Sequence, residues 1–421
     1  MRERASVDVT GQQPPSNGKM WRMWCRGRWG RARGTVVFSA AFAIVVAGGP
    51  FDASAGGAVP AVRTVLAPGT LDSPGAVAID SAGDVFVADT GQCRVAVIAG
   101  ANARRYGVTL RAGRTVTIAG GHCGGTGSFG HPTGLAVDAT GDVYVAEANE
   151  QRVKVIEPSG VVANVAGTGA AGDGSDGGVA SAAQLDEPTG VAVDHSGDLF
   201  IADTANCKVR VVPAASGSVL GHPVVRDRIY TVAGTGVCGS AGQGGPIGGA
   251  QLFDPVAVAI DFAGDLLVAD RGDQSVLLAT ASGGTYYGTA VAAGDIGVVA
   301  GGTGSYGPYL ADGLSATGVG AELNDVRGIV LGPSGALVMT DGFMHVIRVV
   351  PAQSGPLFGR AMTAGDLYTV AGALPVQTAV GAGDGTRWVL TRMGTPSGVA
   401  VTKAGAVVYS DASAGAVVRI G

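Results

Sequence analysis

Residues 188–212 read PTGVAVDHSGDLFIADTANCKVRVV, and this stretch decides the fold. It holds three short runs of β type, 191–194, 199–203 and 209–212. Asp194-His-Ser-Gly197 and Asp203-Thr-Ala-Asn206 separate them as turns. A fourth run, IYTVA at 229–233, follows after an insertion. The spacing predicts four consecutive antiparallel strands, a small twisted sheet that is marginal unless both its faces are covered.

The same sentence recurs along the chain, and a long repeat implies stacked units that bury each other's faces. Upstream copies are PGAVAIDSAGDVFVADTGQCRVAVI at 74–98 and PTGLAVDATGDVYVAEANEQRVKVI at 132–156. Downstream copies are PVAVAIDFAGDLLVADRGDQSVLLA at 255–279, RGIVLGPSGALVMTDGFMHVIRVV at 327–350 and PSGVAVTKAGAVVYSDASAGAVVRI at 396–420. The first-turn residues Asp80, Asp138, Asp194, Asp261, Gly332 and Thr402 are spaced by 58, 56, 67, 71 and 70 residues. The last two copies have lost the turn Asp and the Gly-Asp pair, and are the most drifted.

Residues 62–67, VRTVLA, resemble a fourth strand with no copy of their own, while the sixth copy ends at Gly421 with only three. The orphan strand can complete the last sheet and close a ring. The chain is therefore expected to be all-β, a six-bladed propeller of four-stranded antiparallel blades closed by its N-terminal strand. A parallel β-helix is the rival, but its coils are shorter than these units and give no role to an orphan strand. First strands rich in Gly, Ala and Val fit the crowded axis of such a ring. With 73 glycines the chain could be read as low complexity, but 46% apolar residues in dense alternating runs favour a folded body.

The N-terminus differs. Residues 1–34 are basic, with Arg22, Arg26, Arg28, Arg31 and Arg33 near their end. Residues 35–55 hold an uncharged apolar run of 15 residues followed by Ala53-Ser-Ala55. That is the layout of a secretory signal with a small-x-small cleavage site. The run is short for a membrane-spanning helix, although an uncleaved signal anchor is the alternative. The propeller is then expected to span 56–421, secreted or associated with the cell surface or wall. Its 20 basic and 30 acidic residues make it a poor partner for nucleic acid or anionic lipid. A monomer is expected.

Four cysteines follow the cleavage site. Cys93 and Cys207 occupy the turn between second and third strands of their copies; Cys123 and Cys238 follow the fourth strand. These places lie at one end of a four-stranded blade, which predicts disulfides Cys93–Cys123 and Cys207–Cys238.

The pattern P-x-G-[VL]-A-V-D-x-x-G-D-[VL]-[FY]-[VI]-A-D-T-x-x-x-[RK]-V resembles the NHL repeat, as does the joining stretch AGTGAAGDGSDGGVASAAQLDEPTG at 166–190. The likeness covers roughly 62–421, strongly in the first four copies and weakly in the last two. It implies a six-bladed propeller, usually a binding or sensing module. Some relatives are enzymes: peptidyl-hydroxyglycine lyases, streptogramin lyases and lactonases, with metal ligands near the axis.

Candidate chemistry is sparse. The body's histidines, His122, His131, His195, His222 and His345, fall at non-equivalent places, and only His122, Cys123 and His131 cluster locally, short of a zinc ligand set. Asp89, Glu147, Asp203, Asp270, Asp341 and Asp411 end every second strand. A carboxylate present in every blade is expected to serve the blade, accepting hydrogen bonds from its own turn. No phosphate loop, nucleophile elbow or free cysteine appears in the body. No metal and no cofactor are expected. The aromatic and basic residues Tyr306, Tyr309, Arg387 and Trp388 lie in fourth-to-first connections and form the candidate binding surface. The expected function is a non-catalytic scaffold binding an extracellular protein or glycan through its loop faces. The alternatives are a metal-dependent lyase or lactonase, or a purely structural wall protein.

Overall fold

In a computed structural model, the described residues are 62–123, 129–302, 312–319, 321–332, 334–372 and 393–421. The chain divides into units 1–55 and 56–421, and the first lies outside the described residues. Among the described residues no helix is long and apolar enough to cross a membrane.

Six four-stranded antiparallel blades follow one another. Their innermost strands are Pro74–Ile79, Pro132–Val137, Pro188–Val193, Pro255–Ile260, Val326–Leu331 and Pro396–Val401. Each packs against the next, and the last returns to the first. Five of them begin with proline, which a strand tolerates at its first residue because no ladder donor is needed there. Val62–Leu66 pairs antiparallel with Ala416–Ile420, with Val62 opposite Ile420, so the ring closes as the orphan strand predicts. Closure leaves no inner edge free.

Alternation on the strands buries side chains on both faces of every blade. The result is six apolar clusters, one between each neighbouring pair of blades. At the axis the glycines are required by distance. A Cβ on Gly134 would meet the Thr189 carbonyl at 2.4 Å, and one on Gly190 the Val256 carbonyl at 2.5 Å.

The chain leaves each inner strand at one face of the ring, here called the turn face, and returns to the other, the mouth face. The long third-to-fourth connections are not open loops. In blades 1, 3, 4 and 5 each forms a short hairpin on the turn face: Ala103–Arg105 with Val108–Leu110, Gly217–Val219 with His222–Val224, Gly284–Tyr286 with Thr289–Val291, and Gly355–Leu357 with Arg360–Met362. The fourth-to-first connections wrap the outer edge of the blade they enter. Gly177 N–H donates to the Ile229 carbonyl and Gly244 N–H to the Ile296 carbonyl, both at 2.7 Å. Leu314–Ser315 adds a fifth strand to blade 5. Outer strands of blades 3, 4 and 5 are thereby covered, which removes exposed edges.

Candidate functional site

The first-turn aspartates behave as expected. The Asp194 carboxylate accepts from the N–H groups of Ser196 and Asp198, its own turn. The second-strand carboxylates serve the blade as expected, but the donor common to all six is not in their own turn, and that part of the expectation is corrected. Each is buried and accepts a hydrogen bond from a backbone N–H well upstream, in the segment entering the blade. Donors are Asp72 to Asp89, Gly130 to Glu147, Asp186 to Asp203, Phe253 to Asp270, Asn324 to Asp341 and Gly394 to Asp411, a separation of 17 residues every time. Asp341 and Asp411 also accept from a backbone N–H of their own turn, that of Met344 and of Ala414, and Asp203 accepts from the Asn206 side-chain amide. The carboxylate thus fastens the mouth-face connection to the blade instead of stabilising the turn.

Cations on the third strand neutralise several of them. Arg94 lies 2.6 Å from Asp89, Lys154 2.9 Å from Glu147, and the buried Arg210 3.4 Å from Asp203. Burial pushes Asp203 up to about 6, against the pull of its hydrogen bonds and of Arg210. Asp270 has no such cation: burial, with Asp273 and Asp254 nearby, pushes it up to about 8.

In four blades the side chain of the last residue of the second-to-third turn ties the blade to its outgoing connection. In blades 1 and 3 the tie is covalent: Cys93–Cys123 and Cys207–Cys238 are disulfides, each with Cα atoms 5.3 Å apart. In blade 2 the Gln151 side chain accepts from Glu187 N–H at 2.6 Å, and in blade 5 His345 Nδ1 meets the Gly394 carbonyl. His345 is therefore a structural tie. His131 Nδ1 bonds the Asn149 amide, while His195 and His222 stand on a first turn and a hairpin. Among the described residues no three His, Cys, Asp or Glu side chains gather in a way that could hold a metal ion.

The candidate binding residues Tyr306, Tyr309, Arg387 and Trp388 lie outside the described residues. The described residues do enclose an axial channel. It has a volume of about 290 Å³ and is lined by the inner strands of all six blades. One ring of lining residues is Gly75, Thr133, Thr189, Val256, Arg327 and Ser397; deeper rings are Gly or Ala and then Val, Leu or Ile. Arg271, one residue past Asp270, joins the lining at the mouth face. Its Nη2 lies 2.7 Å from the Asp254 carboxylate, and Arg327 Nε lies 2.6 Å from that of Asp325. Thr189 is committed to holding blades together, bonding Thr204 at 2.6 Å and the Val256 carbonyl at 3.0 Å. Among the described residues the lining contains no His, Cys, Asp, Glu, Lys or Tyr. Both guanidiniums are thus already paired with a carboxylate, the kind of group that their fork geometry suits.

Both arginines escaped the sequence reading. Arg271 replaces a Thr, Ala or Gly of the other copies, and Arg327 a Gly, Thr, Val or Ser. An aligned repeat with one discordant cation was the available signal.

Comparison with known proteins places the chain. The NHL repeat family matches residues 129–156 and 185–212. A stretch of 88 residues is 38% identical to Protein SUPPRESSOR OF QUENCHING 1, chloroplastic, of Arabidopsis thaliana; it covers 21% of this chain and 8% of that protein. A Bacteroides thetaiotaomicron protein of unknown function superimposes with a TM-score of 0.54 at 14% identity, over 86% of this chain and 76% of its own. An auxiliary nutrient binding protein of the same organism gives 0.53 at 12% identity, with the same coverage of 86% and 76%. A gluconolactonase from Xanthomonas campestris gives 0.50 at 13% identity, over 86% of this chain and 89% of its own. These likenesses show a shared fold.

Proposed function

We propose that this chain, an NHL-repeat β-propeller, is an exported, non-catalytic scaffold that holds an extracellular protein or glycan on its mouth face. Arg271 and Arg327 at the axial rim are the anchors for an acidic group of that partner. The observation that carries this reading is the channel lining, in which, among the described residues, these two arginines are the only ionisable side chains. A general acid or base at the axis would be a His, carboxylate, Lys, Tyr or Cys, and a metal-ligand set would draw on His, Cys and carboxylates; the described lining offers none of them. Two disulfides suit an oxidising compartment, and the basic and apolar segments before residue 56 are the export signal.

The test is a pull-down from cell-surface extracts and an array of neutral and acidic glycans, each with the parent and with Arg271→Ala/Arg327→Ala. A captured partner that the double variant holds at least tenfold less tightly supports the proposal; two lost charge-assisted hydrogen bonds at roughly 1.5–3 kcal/mol each would suffice. The alternative is a metal-dependent lyase or lactonase. Purified protein carrying a tightly held divalent metal and opening lactones would establish it and overturn the scaffold reading.

A further inference from the structure

Blade 4 carries two carboxylates where its neighbours carry a carboxylate and a cation. In blades 2, 3 and 5 the third strand supplies Lys154, Arg210 and Arg348, each at the same step past the second-strand carboxylate. Blade 1 uses Arg94, two positions earlier in its strand. The corresponding residues of blade 4 are Leu277 and Ser275. The acidic side grows instead. In blade 3 the Asn206 amide donates to the Asp203 carboxylate at 3.0 Å. Asp273 holds that position in blade 4. Both turns end on a left-handed residue, Cys207 at φ 53° and Gln274 at φ 54°, so Asp273 is directed toward Asp270 as Asn206 is toward Asp203.

The incoming connections differ in the same sense. Arg210 Nη2 lies 3.2 Å from Asp176, and the buried Arg348 feels the charges of Asp312 and Asp341. Gly177 and Gly313, which follow those two aspartates, donate to the outer strands of blades 3 and 5, and Gly244 makes the same bond in blade 4. Gln243 therefore holds the place of Asp176 and Asp312, and its Nε2 donates to Asp273 at 2.7 Å. Among the described residues no side-chain cation lies within 4.0 Å of Asp270 or Asp273. Ser275 stands opposite Asp270 on the same face of the sheet. It is fully buried, and its hydroxyl has no hydrogen-bond partner among the described residues.

Blade 6 shows that lacking a strand cation is not enough to make such a place. Ala416 and Val418 stand at its two cation positions. Asp411 is satisfied there by the N–H groups of Gly394, Thr395 and Ala414 and by the Ser413 hydroxyl. Asp270 receives one N–H, that of Phe253. A buried carboxylate with so few donors, beside a second carboxylate, is stable as an anion only with a cation.

We propose that blade 4 binds a calcium ion through the Asp270 and Asp273 carboxylates and the Ser275 hydroxyl, in the place that the third-strand guanidinium takes in blades 3 and 5. All three donors are oxygens, which suits a hard cation, and the two carboxylates balance its charge. Gln243 orients Asp273 from outside the ligand set. An ion must shed water to reach the buried Asp270 and Ser275, which magnesium does reluctantly. Three protein ligands, with water at the remaining positions, place the affinity with that of extracellular calcium modules, a Kd of about 10⁻⁴–10⁻³ M. In calcium-free protein a proton takes the ion's place on Asp270.

The test titrates calcium, and separately magnesium, into chelator-stripped full chain by calorimetry, with thermal melts in parallel. One calcium should bind, at least tenfold tighter than magnesium, and the melting temperature should rise with calcium concentration. Asp273→Asn, which copies Asn206 of blade 3, should weaken calcium binding at least tenfold. Leu277→Arg, which installs the guanidinium of blades 3 and 5, should abolish it. If Leu277→Arg fails to fold, Asp273→Asn alone decides. No binding up to about 10 mM calcium overturns the proposal, being well above the expected range. So does magnesium binding as tight as calcium, or calcium binding that Asp273→Asn leaves unchanged, since the ion would then sit elsewhere. Failure here leaves the axial anchors untouched, because none of these side chains lines the channel.

Discussion

Asp270 faces Ser275 across the second and third strands of blade 4, at the register position where Asp89 faces Arg94 in blade 1. Both Asp270 and Ser275 are fully buried, and Asp270 accepts from the Phe253 N–H with both carboxylate oxygens, at 2.9 and 3.0 Å. The blade thus keeps the carboxylate that fastens its incoming connection but lacks the cation that would favour its charged form.

A pH dependence follows. Burial pushes Asp270 up to about 8, whereas an unfolded Asp titrates near about 3.9. Between those values the native state holds a proton that the unfolded chain has released. Stability therefore falls as pH rises through this window and levels off above it. Asp270→Asn keeps one acceptor and removes the titration. Denaturant titrations at pH 4, 6 and 9 should show variant and parent close at pH 4 and the variant gaining on the parent up to pH 9; parallel pH profiles would refute this.

Blade-to-blade hydroxyl bridges should be measurable one at a time. Thr340 Oγ1 accepts from Gly328 N–H at 2.9 Å and donates to the Ser397 carbonyl of blade 6 at 2.7 Å. Ser410 Oγ accepts from Gly398 N–H at 2.8 Å and donates to the Gly75 carbonyl of blade 1. Thr340→Val and Ser410→Ala each leave a buried N–H unpaired and should cost about 1–3 kcal/mol in chemical denaturation. An unchanged midpoint in either variant would mean the bridge is redundant.

The hairpin tips should behave as core residues despite their place in loops. Tyr106 is buried at the interface of blades 1 and 2, edge-on to Phe86 with ring centroids 5.6 Å apart. Tyr106→Ala should lose about 3–5 kcal/mol and Tyr106→Phe about 1 kcal/mol, the second being the hydrogen bond to Gly141. Equal losses would show that the ring contributes nothing beyond its hydroxyl.

Each disulfide closes a loop with a sequence separation of 30 or 31 residues and should contribute about 3–4 kcal/mol by constraining the unfolded chain. They lie in blades 1 and 3 with no shared partner, so Cys93→Ser/Cys123→Ser and Cys207→Ser/Cys238→Ser should add within error when combined. Thermal melts of the two double variants and the quadruple variant test this, and strong non-additivity would point to coupling through blade 2.

The sequence by itself determined the strands, their grouping into six blades, the closing pair of Val62–Leu66 with Ala416–Ile420, and both disulfides. Alternation with a period of two and the offset between copies are local quantities, carried in full by each repeat. Only the tertiary structure decided what fills the clefts, which carboxylate fastens which connection, and that Arg271 and Arg327 share the axial rim. Those facts arise where one blade meets the next, between side chains far apart in the chain. A repeat read alone cannot show that Val408 stands at the interface of blades 6 and 1 where Tyr144 stands at that of blades 2 and 3.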